Sequence, residues 1–80
     1  MVFFAINRRG YEDFIALNFD AILWSTLGVI ENHELELLRA TGVLTTVFNF
    51  QLASDDADAM SDAVETIRGH HPGQTVWLST

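Results

Sequence analysis

The chain has 80 residues, 49% of them apolar, with eleven acids, four arginines, no lysine and a net charge of −7. That charge excludes phosphate-backbone binding as the main activity, and the absence of cysteine excludes disulfides and thiolate metal sites. No apolar run reaches the roughly 18 residues of a membrane span.

Residues 1–80 form a single domain. A chain this short buries only about 60–65% of its unfolded surface. Its mean hydropathy of +0.19 leaves apolar surface without a place inside one copy, so a homo-oligomer or a standing partner interface is expected. The Met1–Asn7 stretch has no basic n-region, and Arg8 and Arg9 follow the apolar run rather than precede it. No signal peptide is therefore read, and a small chain without disulfides suits the cytoplasm.

Met1 to Ile6 is apolar throughout, as a central strand would be. Asn7-Arg8-Arg9-Gly10 fits a type I turn closed by a left-handed glycine. Tyr11 to Leu17 then either returns as a hairpin strand or forms a helix with Tyr11, Phe14, Ile15 and Asn18 on one face. Scarce β-branching favours the helix.

Phe19 to Thr41 is ambiguous. Read as helix, Phe19, Ile22, Leu23, Thr26, Leu27, Ile30, Leu37 and Leu38 share one side, and Gly28 interrupts it. Read otherwise, Asp20 to Thr26 is a buried strand. In both readings Glu34 to Ala40 is helical, with Gly42 as its cap and Val43 as the apolar contact beyond.

The C-terminal half reads strand, helix, strand. Val43 to Leu52 is rich in β-branched and aromatic residues. Ser54 is placed to cap a helix that carries Ala57, Met60, Val64 and Ile67 as one apolar stripe. Gly69 and Pro72 end it, and Gln74 to Ser79 is a short, apolar, buried-looking strand. The fold class is α/β: a small two-layer sandwich of three or four strands in β-α(α)-β-α-β order. The alternative is a ferredoxin-like βαββαβ order.

Catalytic signatures are missing. There is no Walker loop, no G-x-G-x-x-G, no H-E-x-x-H and no G-x-S-x-G. No catalytic residue and no cofactor is assigned, and the reading leans away from an enzyme. His70 and His71, with His33 as a third ligand, are the one histidine set. A helix C-terminus favours histidine without a metal, so no metal site is assigned.

Two candidate sites remain. Asp55, Asp58, Asp62 and Glu65 recur at spacings of 3, 4 and 3, opposite the apolar stripe. Like charges so placed disfavour the helix slightly, which makes them a candidate docking ridge for a basic protein partner. Arg8 and Arg9 follow the first strand, where open α/β sheets present ligand loops. With parallel strands, Asn49 and Gln51 would join them at one edge, which suggests an anion or small-molecule pocket. The leading expectation is a small acidic protein-binding module: an inhibitor, immunity protein or adaptor. The alternative is a regulatory domain that senses an anion or small molecule through Arg8, Arg9 and Asn49.

NFDAILWSTLG, Asn18 to Gly28, resembles the second-helix motif of the barstar family, which runs N-aromatic/Leu-D-A-L. The likeness covers 11 of the 80 residues, and the expected element order is also similar to that family's. Barstar-like proteins are acidic inhibitors that plug a ribonuclease active site. The resemblance therefore implies an inhibitory role, with Asp20 matching a family acid.

Overall fold

A computed structural model describes residues 1–17, 21–53 and 55–79. It contains β1 (Val2–Ala5), α1 (Arg8–Ala16), β2 (Ile22–Ser25), α2 (Asn32–Ala40), β3 (Thr45–Val47), α3 (Ala57–His70) and β4 (Val76–Ser79). The α/β class is as read. The ferredoxin-like order is not: every strand pairing is parallel, and the sheet order is β3-β2-β1-β4.

That order follows from handedness. Right-handed crossovers carry β1 through α1 to β2, then through α2 to β3, all in one direction. The third crossover must travel back past β2 and β1, so its helix lies on the other face. Phe3, Ala5 and Leu23 accordingly pack with Tyr11, Phe14 and Leu38 of α1 and α2. Val2, Phe4 and Trp24 pack with Ala63 and Ile67 of α3. β1 carries both layers, and its four residues are fully buried.

The ambiguous stretch is a strand. Ile22 to Ser25 are the partners of Val2 to Ala5. A parallel strand covered on both faces reads as a continuous apolar run, so spacing alone does not tell it from helix. The barstar-like motif is therefore not a helix over Ile22 to Ser25, and its Asn18, Phe19 and Asp20 lie outside the described residues.

Several boundaries move for identifiable reasons. Asn7 does not open a turn; it caps α1, its side chain accepting from the Gly10 amide at 2.8 Å. Gly10 is buried within that helix rather than left-handed. A type I turn and a helix N-terminus share their first dihedrals, and apolar Tyr11 and Phe14 carry the helix on. Glu34 to Ala40 is helical as read, and Gly42 leaves α2 at φ 89°. Val43 N–H then bonds the Leu38 carbonyl at 3.0 Å, and Val43 packs on the core.

β3 is much shorter than Val43 to Leu52, because β2 ends at Ser25; past the Phe48 N–H to Ser25 carbonyl bond at 2.9 Å, the Leu27 N–H to Phe50 carbonyl bond at 2.9 Å joins two loops rather than two strands. Asp56 caps α3, accepting from the Ala59 amide at 3.1 Å; Ser54 lies outside the described residues. The helix continues through Gly69 to His70. β4 is not buried. It is an edge strand, with Trp77 and Leu78 51% and 38% exposed.

Candidate functional site

An all-parallel sheet sends every strand's C-terminal end to one edge. Here that edge holds the loops after β1, β2 and β3. They enclose a depression of about 260 Å³ lined in part by Arg8, Thr26, Gly28, Val29 and Gln51. The Thr26 hydroxyl donates to the Ile6 carbonyl at 3.1 Å and ties the first two loops together.

Arg8 sits in this depression with its charge already engaged. Its guanidinium grips both oxygens of Glu34, at 2.6 and 2.7 Å, and donates to the Val29 carbonyl at 3.0 Å. It also lies 4.9 Å from the centre of the Tyr11 ring. Such a two-point grip orients the fork as well as pairing its charge. The Arg8 hydrogen bond, then the Glu31 amide, pulls the Glu34 carboxyl from 4.5 down to about 2. The same bond raises Arg8 above its ordinary range. Burial, and then the Glu34 charge, raise the Tyr11 phenol.

Arg9 is exposed beside it and makes no ion pair among the described residues. Asn49 lines a different depression. Of the residues read as an anion pocket, the fold brings Arg8 together with Gln51 but not with Asn49.

The acidic residues are arranged differently. Asp58, Asp62 and Glu65 fall within an arc of roughly 60° on a helix that turns 100° per residue. Ala63 and Ile67, which α3 buries, lie on nearly the opposite side. Asp55 precedes the helix, because Asp56 is its cap. All four acids are exposed, and none makes an ion pair among the described residues. The ridge read from sequence is thus three residues on α3 with Asp55 leading into it.

A third region was missed by sequence reasoning. Between β3 and the end of α3 lies a depression of about 590 Å³ lined in part by Trp24, Phe48, Asn49, His70 and His71. Both imidazoles lie against the Trp24 indole, with ring centres 5.4 and 5.9 Å away. Phe48 closes on it at 5.1 Å. The buried Trp24 Nε1–H has no hydrogen-bond partner among the described residues. Only once Ile22 to Ser25 is a strand does Trp24 point toward α3. His33 is on α2, across the sheet, so it does not join this pair. Among the described residues no three metal-ligating side chains converge, and no helix is long and apolar enough to cross a membrane.

No family model, curated protein or solved structure matches this chain.

Proposed function

We propose that this chain is a small acidic protein-binding module that docks a basic partner surface through Asp58, Asp62 and Glu65 of α3, with Asp55 beside them. The observation that carries the reading is their placement. Three carboxylates crown the side of α3 turned away from the core, and none is neutralised by a neighbour among the described residues. On a chain of net charge −7, such a surface draws in a positive partner by long-range attraction and so raises the association rate. An inhibitor, immunity protein or adaptor would use it in the same way.

The alternative, an anion sensor built on Arg8 and Arg9, has less support. An incoming anion would have to displace the Glu34 carboxylate, which already accepts two bonds from Arg8.

The test is capture from cells of the source organism on the immobilised protein, compared with Asp58→Asn/Asp62→Asn. A partner held by the native chain, released by salt and lost by the variant at unchanged melting temperature supports the reading. Equal retention by both proteins overturns it.

A further inference from the structure

The sheet has two edges, and they differ. At the β3 edge the Arg39 guanidinium donates to the Thr45 carbonyl at 3.2 Å, so an α2 side chain occupies that edge. Among the described residues no side chain hydrogen-bonds the open side of β4 in this way. Its sequence Val-Trp-Leu-Ser holds no charge and no proline, the usual devices that keep an edge strand from pairing. The Thr75 carbonyl takes the Val2 N–H at 2.8 Å. Because peptide groups alternate sides along a strand, those of Val76 and Leu78 turn to the open side.

Apolar surface flanks that edge on both faces. Trp77 is on the face of α1 and α2, opposite Phe3, and Leu78 is on the α3 face, opposite Phe4. Beside Leu78 a groove of about 440 Å³ runs along α3, walled by Met60 and Val64 and rimmed by Glu65 and Arg68. Neither rim charge is in an ion pair among the described residues.

We infer that β4 pairs antiparallel with β4 of a second copy of this chain about a two-fold axis, joining two four-stranded sheets into one of eight. Charge selects the occupant. Two chains of −7 repel except where local charge balances, and the groove rim carries one charge of each sign. A basic segment would meet Arg68 and an acidic one Glu65. A two-fold axis instead sets Glu65 against the partner subunit's Arg68, and Arg68 against the partner subunit's Glu65.

The register follows from the outward peptide groups. Val76 exchanges both hydrogen bonds with the partner's Leu78, and Leu78 does so with the partner's Val76. Trp77 then meets the partner's Trp77 at the axis as a closely spaced, non-hydrogen-bonded pair. Glu65 belongs to both surfaces, whereas Asp58 and Asp62 lie outside this interface, so Leu78→Lys tests the dimer alone and Asp58→Asn/Asp62→Asn tests the docking of a basic partner alone.

The test is sedimentation equilibrium of the 80-residue chain across the micromolar range. The native protein is expected at twice its 9.0 kDa chain mass. Leu78→Lys places a charge on the open edge and is expected to give a monomer with unchanged circular dichroism. Glu65→Arg and Arg68→Glu should each weaken the dimer roughly tenfold or more by facing like charges across the axis. The double variant should recover most of that loss. A native monomer throughout the range overturns the inference. So does a dimer that survives Leu78→Lys, or one in which the charge exchange brings no recovery.

Discussion

Ile67→Ala tests the docking of α3 on the sheet most directly. Ile67 is fully buried and packs among Val2, Phe4, Trp24 and Ala63. Isoleucine to alanine in a core costs about 2–5 kcal/mol, depending on how far the site collapses. Val2 and Phe4 are held by the strand pairing and give little. Met60 and Val64 are half-buried beside it and close part of the space. Alanine's better helix propensity returns a few tenths of a kcal/mol.

The net loss is therefore about 3 kcal/mol. A chain of this length has a total stability of about 4–12 kcal/mol. The loss lowers the melting temperature by about 12–24 °C, taking about 4–8 °C per kcal/mol for this size. The assay is urea denaturation followed by far-UV circular dichroism and tryptophan fluorescence, all variants at one protein concentration. Leu37→Ala is the control: Leu37 is 64% exposed on α2 and should change stability by less than about 0.5 kcal/mol. An Ile67→Ala loss below about 1 kcal/mol, with an unchanged denaturant slope, would refute this packing of α3.

Two further outcomes follow from the loops and glycines. Glu34 has a folded-state pKa lowered from 4.5 to about 2, so its contribution to stability is present above pH 4.5 and lost as the pH falls toward 2. Urea midpoints should therefore fall more steeply over that window for the native chain than for Glu34→Gln, and parallel curves would contradict the ion pair. Gly42 and Gly69 should respond with opposite signs to alanine, although a Cβ at either meets open space. Gly42→Ala should cost about 1–2 kcal/mol through its φ of 89°, whereas Gly69→Ala, inside α3, should gain about 0.5–1 kcal/mol. Thermal melts that show both shifts in one direction would contradict the assigned backbone.

What was legible in the chain was what local chemistry determines. The apolar run of β1, the helix formers of α2 and the glycine that ends it need no distant partner to be recognised. Strand order is different: nothing in Val76 to Ser79 states that it lies beside β1 rather than β3, so an edge strand looked like a buried one. The cap of α3 was displaced because three residues before Ala57, Ser54, Asp55 and Asp56, all have capping side chains. The acidic ridge could be read because helical spacing alone puts Asp58, Asp62 and Glu65 together. The Arg8–Glu34 pair could not, since it joins residues 26 apart through two packed helices. For the same reason the contact of His70 and His71 with Trp24 became visible only with the sheet.

The pairing of Val2 with Val76 has a kinetic consequence. β1, β2 and β3 lie side by side in chain order, so each pairing closes a loop of modest length. β1 meets its other neighbour only after the loop spanning nearly the whole chain closes, and the entropic cost of closure grows with loop length. During synthesis the first three strands can assemble while one side of β1 still waits for residues 76–79. Phe4 and Val2 then face solvent on the layer that α3 covers last. Folding of this chain is accordingly slower than its size suggests, as for sheets dominated by distant contacts. The interval before β4 docks is the one in which another strand can take its place.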